Sequence, residues 1–147
     1  MAQSVPDGFR TVTPFIMVNG ADRVIEFAQR AFDAKQLQRL DHDDGTVWHA
    51  QLQIGDSMIM IGDVQDKYPA MPCSIYLYLP DVDAAYRQAL EAGGEEVIAP
   101  ADQFYGDRSG GVRDATGNIW WLATHIEDVP PLELERRARK LAGNDAT

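Results

Sequence analysis

The chain has 147 residues, a 45% share of hydrophobic residues and a formal net charge of −10 at pH 7. This length suits one compact domain, and no segment approaches the roughly 18–20 apolar residues that a membrane-spanning helix requires. An acidic surface repels nucleic acid and anionic membranes, so we expect neither as a partner. The first eight residues lack the pattern of a signal peptide, and one cysteine, Cys73, permits no intrachain disulfide. Both features favour a cytoplasmic protein.

The first half of the chain has the pattern of a strand, a helix and three further strands. Apolar residues from Val24 to Phe32 follow the spacing i, i+3, i+4, i+7, i+8, which predicts a helix over residues 21–34. Asp44 and Gly45 form a hairpin-turn signal. The predicted strands cover residues 12–18, 36–41, 47–54 and 57–61.

The same order of elements restarts after residues 64–72, a polar segment with two prolines that we interpret as a linker. A helix over residues 82–92 repeats the apolar spacing of the first helix, and residues 114–118 have turn chemistry. The chain therefore repeats one βαβββ unit, over residues 11–63 and 73–128. A final helix is predicted over residues 131–142. The strands of the second unit cover residues 74–79, 95–99, 108–113 and the Trp120–Trp121 segment.

Alternation along the strands predicts two different sheet faces. One face is aliphatic and would pack under the helices, with Trp120 among its residues. The other face is aromatic and rich in methionine, which suits contact with an organic molecule. Packing of that face on a second sheet or a second subunit is the alternative. The predicted apolar wall of a ligand site consists of Phe15, Met17, Met60, Tyr76, Tyr78 and Trp121.

Polar contacts to such a ligand are predicted from two strands. In the segment 47–54, Trp48 begins the apolar face, whereas His49 and Gln51 lie on the other side. His49 is the only candidate for a catalytic residue. Arg108 is either a further ligand contact or the cation of a structural ion pair with Asp107. The sequence contains no His-Glu-x-x-His, no phosphate-binding glycine-rich loop and no Gly-x-Ser-x-Gly motif.

Three segments carry a resemblance to a known family: residues 105–114 followed by 117–121, and residues 48–52 before Gly55-Asp56-Ser57. With the duplicated βαβββ pattern, they resemble the vicinal oxygen chelate superfamily, which is the glyoxalase, bleomycin-resistance and extradiol-dioxygenase fold. The similarity is greatest to its PhnB-like branch. The resemblance implies one α+β domain over residues 1–147, in which both modules form an open, curved mixed sheet with a concave cleft and helices on the outer face. It also implies a homodimer that completes the cleft.

Metal enzymes of this superfamily bind a divalent ion through His or Glu on the first, fourth, fifth and eighth strands. The matching positions here carry no imidazole or carboxylate; they are Thr13, Met60 (or Ile59), Ser74 and Trp121. The resemblance therefore implies a protein without metal or cofactor that binds a small organic ligand, cationic or aromatic, in the manner of drug-sequestering bleomycin-binding proteins.

Two alternatives stay open at this point. The protein could be a lyase, isomerase or dioxygenase of the same superfamily, with displaced metal ligands or with His49 as a metal-free acid–base catalyst. It could also be an interaction module whose aromatic face is a dimer interface and binds no ligand.

Overall fold

The computed structural model describes residues 2–145, and its elements follow the predicted two-module order. The first module consists of β1 (Phe15–Val18), α1 (Ala21–Phe32), β2 (Lys35–Asp41), β3 (Val47–Ile54) and β4 (Ser57–Asp63). The second consists of β5 (Ser74–Tyr78), α2 (Val82–Glu91), β6 (Glu95–Asp102), β7 (Asp107–Arg113) and β8 (Ile119–His125). The chain continues into α3 (Pro131–Asp145). Along residues 2–145, no helix is both long enough and apolar enough to cross a membrane.

The eight strands form two separate four-stranded mixed sheets, in the orders β1-β4-β3-β2 and β5-β8-β7-β6. In each sheet the first pair is parallel and the other pairs are antiparallel. The predicted α+β class and the two open βαβββ modules are thereby confirmed. Phe15 pairs with Met60 in the first sheet, and Tyr76 pairs with Trp121 at the corresponding place in the second.

One hydrophobic core joins the two modules. The helices α1 and α2 pack on one face of their sheets and against each other. Phe27 and Phe32 of α1 contact the fully buried Trp120 of β8, with ring centroids 6.1 and 5.2 Å apart. The prediction that Trp120 lies in the core is confirmed. Each sheet therefore has one face on the helices and an opposite face, which we call the open face.

The turn before β8 is held by one buried carboxylate. Asp114 accepts hydrogen bonds from the backbone of Thr116 and Asn118 and from the Nε1 of Trp120, at 2.9, 3.2 and 2.8 Å. Asn118 in turn accepts a hydrogen bond from the backbone N–H of Cys73 at 2.9 Å. The predicted turn thus fixes the position of the core tryptophan and the start of β5 together.

The third strand departs from the strict alternation that the sequence predicts. Val47 is buried, whereas Trp48 is 56% exposed. Leu40 pairs with His49 and the next residue, Asp41, pairs with Val47, so Trp48 is an extra residue in β3. Such a β-bulge reverses the alternation locally. The assignment of Trp48 to the core face is therefore wrong, and its indole is available on the surface.

Candidate functional site

The open face of module one carries a cavity of about 540 Å³. Strand β1 and the bulge of β3 form its floor, and the segment 64–72 forms a wall. Its lining is mostly aromatic or apolar, with an imidazole and an amide as polar groups. The lining residues are Phe15, Met17, Trp48, His49, Gln65 and Tyr68.

The wall is an ordered segment rather than a free linker. Met71 donates its backbone N–H to the carbonyl of Met17 at 2.9 Å, so the segment runs along the outer side of β1. Gln65 and Tyr68 exchange backbone hydrogen bonds of 3.1 and 2.8 Å, which close a small turn. These bonds hold Tyr68 against the cavity. Nothing in the sequence predicts this role, because the segment lacks periodicity.

Ring contacts set the orientation of the aromatic lining. Trp48 stacks on His42 of the β2–β3 turn, with centroids 5.1 Å apart and planes 14° apart. Phe15 packs against His49 with centroids 5.6 Å apart.

At Gly62 a Cβ would lie 2.9 Å from the Trp48 carbonyl oxygen, so the close approach of β3 and β4 requires glycine at this point.

The open face of module two carries a separate cavity of about 340 Å³. The indole of Trp121 donates its Nε1–H to the Ser74 hydroxyl at 2.8 Å. It lies across β7 at Gly111, where a Cβ would be 2.8 Å from the indole ring. The lining residues are Tyr76, Ile98, Gln103, Tyr105, Ser109 and Trp121.

A hydrogen-bonded cluster surrounds Asp107, which is only 3% exposed at the start of β7. Its Oδ2 accepts from the phenols of Tyr76 and Tyr78 at 2.7 and 3.0 Å, and its Oδ1 is 2.9 Å from His125 Nδ1. The Nε2 of His125 lies 2.7 Å from the Asp128 carboxylate. We call these five residues the Asp107 cluster.

Contacts within and around the Asp107 cluster shift the pKa values of its members. Burial opposes ionisation of Asp107, but the bonds from His125, Tyr76 and Tyr78 outweigh it and lower its pKa. Hydrogen bonds to Asp107 and then Asp128 raise the pKa of His125. Burial and the neighbouring Tyr105 and Asp107 raise the pKa of Tyr76, and the bond to Asp107 raises that of Tyr78. Asp107 is therefore a carboxylate and both phenols keep their protons at neutral pH.

The structure distributes the predicted ligand contacts over these two open faces. Phe15, Met17 and His49 line the cavity of module one. Gln51 and Met60 pair on adjacent strands beside it, outside the lining.

In module two, Tyr76 and Trp121 line the second cavity, and Tyr78 belongs to the Asp107 cluster. Arg108 is not brought to either cavity. Its guanidinium bonds Asp83 of α2 at 2.9 and 3.0 Å and Asp102 at 3.1 Å, on the helix side of β7.

The sequence does not predict several residues in and around the two cavities. Trp48 was missed because a bulge is not visible in a single sequence. Asp107 and Ser109 alternate with Arg108 along β7, and the same alternation places them beside Trp121, so this signal was available. His125 lies at the end of β8, and the sequence does not indicate its contact with Asp107. The residues without any sequence signal are Gln65, Tyr68, Ile98 and Gln103.

Comparison with known proteins gives the family. The model of the Glyoxalase/Bleomycin resistance protein/Dioxygenase superfamily matches residues 10–122. The chain belongs to this superfamily. A curated relative, "Uncharacterized protein Mb0911c" from Mycobacterium bovis, is 33% identical over 135 residues, covering 84% of this chain and 89% of the relative.

Two solved structures share the fold. TioX from Micromonospora sp. ML1 is 24% identical with a TM-score of 0.65, and the match covers 78% of this chain and 99% of TioX. A Bacillus cereus protein described as "Putative 3-demethylubiquinone-9 3-methyltransferase, PhnB protein" is 21% identical with a TM-score of 0.59, over 78% of this chain and 99% of that one. At these identities the likeness shows the fold alone.

The positions at which metal enzymes of this fold hold a divalent ion do not fit such an ion here. The Thr13 hydroxyl donates to the Arg10 carbonyl at 3.1 Å, and Met60 supplies a thioether. Ser74 and Trp121 are hydrogen-bonded to each other. Hydroxyl, thioether and indole are poor ligands for hard or borderline cations. Among the residues the structure describes, no group of three or more His, Cys, Asp or Glu side chains is arranged to hold a metal.

Proposed function

We propose that the protein binds a small organic molecule with a planar aromatic part in the cavity of module one. The cavity itself supports this proposal most strongly, because about 540 Å³ lies within the usual range of ligand sites, roughly 300–1,000 Å³. Phe15, Trp48 and Tyr68 line the cavity from three different segments, and Met17 adapts to ligand shape. Each aromatic contact contributes about 0.5–1.5 kcal/mol beyond the area it buries.

Binding in this cavity needs no divalent metal under the proposal. The support is the side-chain chemistry of the four family positions: Thr13, Ser74 and Trp121 are engaged in hydrogen bonds, and the fourth, Met60, has only a thioether. A protein that holds an aromatic compound without transforming it would lower the free concentration of that compound. We therefore infer sequestration of a toxic aromatic molecule, a resistance-type role, as the physiological use.

A second candidate, metal-free acid–base catalysis, has one supporting observation. His49 is a titratable side chain in the lining of the cavity, in contact with Phe15. Its replacement by glutamine would abolish turnover of any substrate if it were the base. Under sequestration, His49→Gln leaves the bound compound chemically unchanged and changes affinity only.

We also propose that two copies of the chain assemble. Strand β5 lies at the end of its sheet, and a groove of about 240 Å³ separates it from the region before β1. Val12, 83% exposed, lies in this groove. Light scattering should give twice the 16.3 kDa chain mass, and Val12→Lys should yield the monomer whereas Val5→Lys, outside the groove, should not. A monomer for the unmodified chain contradicts the assembly.

The binding proposal is tested with the variant Trp121→Phe. It retains two tryptophans, of which Trp48 is exposed and Trp120 is buried. Quinoline, acridine and a cationic N-methylacridinium are titrated while tryptophan emission is followed. At least one should saturate, and Trp48→Ala should weaken its binding, measured by calorimetry, by about tenfold. Leu37→Ala, an exposed apolar truncation on β2, is the matched control and should leave affinity unchanged. No saturation by any of the three, or an unaffected Trp48→Ala, overturns the proposal.

A further inference from the structure

The hydrogen bonds of the Asp107 cluster leave an unusual set of free groups on the open face of module two. A phenol has one hydrogen to donate. Tyr76 and Tyr78 both donate theirs to the same oxygen of Asp107, at 2.7 and 3.0 Å. Their own oxygens can therefore only accept further hydrogen bonds. The two rings lie 5.2 Å apart, and the residues are 40% and 64% exposed, so a ligand can reach this pair of side chains. The Tyr105 hydroxyl is a further neighbour of the Tyr76 phenol.

The cationic side chains and the indole near this face are engaged elsewhere. His125 has both ring nitrogens within 2.9 Å of a carboxylate, Asp107 on one side and Asp128 on the other. The Nε1–H of Trp121 is donated to Ser74. The Arg108 guanidinium is paired with Asp83 and Asp102 on the helix side. The amide of Gln103, also in the lining, bonds the Ala101 carbonyl at 3.4 Å through one N–H and keeps a second, so an anionic ligand would meet one neutral donor against two carboxylates.

The net charge of the Asp107 cluster also disfavours an anionic ligand. Asp107 and Asp128 supply two carboxylates, and His125, when protonated, supplies one positive charge between them. The cluster therefore carries excess negative charge even with the imidazolium formed. Aromatic ring faces add to this attraction for a cation, by about 0.5–1 kcal/mol at exposed sites.

We propose that the open face of module two is a second binding site, which takes the primary ammonium group of an organic amine. An ammonium has three hydrogens to donate and no acceptor, which complements the two phenol oxygens of Tyr76 and Tyr78. The organic part of the amine would lie on Trp121 in the cavity of about 340 Å³. This site is separate from the cavity of module one and goes beyond the function proposed for that cavity.

The test uses Trp48→Phe, in which Trp121 is the responsive indole because Trp120 is fully buried. The probes are 2-phenylethylamine, a cation at neutral pH, 2-phenylethanol, its neutral analogue, and phenylacetate, an anion. The amine should bind about tenfold more tightly than the alcohol, and phenylacetate should not bind. Equal affinity for the amine and the alcohol, or preferential binding of phenylacetate, would overturn the proposal. This measurement leaves the residues of the Asp107 cluster unchanged.

The double variant Tyr76→Phe/Tyr78→Phe removes the two oxygens and keeps both rings. It should reduce the preference for the amine over the alcohol to within about twofold. Tyr86→Phe is the matched control, because this phenol also donates to a carboxylate, that of Glu96, but on the helix side. It should retain the full preference. Retention of the preference by the double variant contradicts the proposal.

If the double variant fails to fold, judged by circular dichroism, the single variant Tyr78→Phe replaces it and should lose part of the preference. A response of Trp121 to the amine, with no response of Trp48 to quinoline, acridine or N-methylacridinium in Trp121→Phe, would refute the module-one function while supporting this site. A response of Trp48 to one of the planar aromatic probes, with no response of Trp121 to the amine, would refute the module-two site and leave the module-one function standing.

Discussion

The two open faces occupy equivalent positions in the repeat and differ in chemistry. Phe15 and Met60 pair at the place where module two pairs Tyr76 with Trp121. Module one is apolar there and is walled by the segment 64–72, whereas module two places a buried carboxylate under two phenols. One duplicated backbone therefore carries an apolar, walled face in module one and a face rich in hydrogen-bond acceptors in module two, and the two proposals assign them binding by ring contact and by hydrogen-bond acceptance.

Replacement of Asp107 should have the largest effect. Asp107→Ala leaves Tyr76, Tyr78 and His125 without their shared acceptor, and we expect a loss of about 2–3 kcal/mol in the free energy of unfolding. Urea denaturation measures it. Asp128→Ala, whose side chain is fully exposed, is the control and should have a much smaller effect on the free energy of unfolding. Quinoline binding in module one should survive in Asp107→Ala at a temperature where the variant is folded; its loss would mean that the two faces are not independent.

The contact between the Trp121 indole and Gly111 should show the next largest effect on substitution. In Gly111→Ala the new methyl group would lie 2.8 Å from the indole, so the ring must move, at a cost of about 1–3 kcal/mol. Measured in the Trp48→Phe background, the Trp121 emission should shift and the affinity for 2-phenylethylamine should fall. Gly143→Ala in α3, where a Cβ has no neighbour within 4 Å, should be neutral or slightly stabilising. An unshifted emission in Gly111→Ala would contradict the described position of the indole.

Removal of a ring from the wall of module one should affect that face alone. Tyr68→Ala should weaken quinoline binding about three- to tenfold and leave the amine affinity of module two unchanged. Lys67→Ala, the adjacent residue, should change neither. Calorimetry on the three proteins decides the matter, and an equal effect of Tyr68→Ala on both ligands would argue against two separate sites.

The smallest expected effect is the pH dependence that His125 adds to stability. Its pKa is raised in the folded protein by Asp107 and Asp128, from an ordinary value near 6.5. The stabilisation is fully present below that ordinary value and is lost as pH rises through the raised folded value. Urea denaturation from pH 5.5 to 9 should show this decline, and His125→Gln should flatten it. An identical slope in the variant would exclude His125 as its source.

Much of the fold was predictable because local patterns agreed with it. The apolar spacing of α1 and α2, the turn around Asp114 and the burial of Trp120 all followed from the sequence. The site was less predictable. Trp48 faces outward because of a bulge, which depends on pairing with β2. Tyr68 joins the site through backbone bonds of an aperiodic segment. The Asp107 cluster depends on three strands meeting, so only its alternation along β7 was visible in advance.

The indole N–H signals of a ¹⁵N-labelled sample test the central claim most directly, since each of the three tryptophans gives its own resonance. The planar aromatic probe that saturates module one should shift the Trp48 resonance, and 2-phenylethylamine should shift that of Trp121, while the buried Trp120 signal stays in place. This pattern is the result that two chemically distinct open faces predict. Movement of the same indole by both compounds, or of neither indole by either, would contradict it.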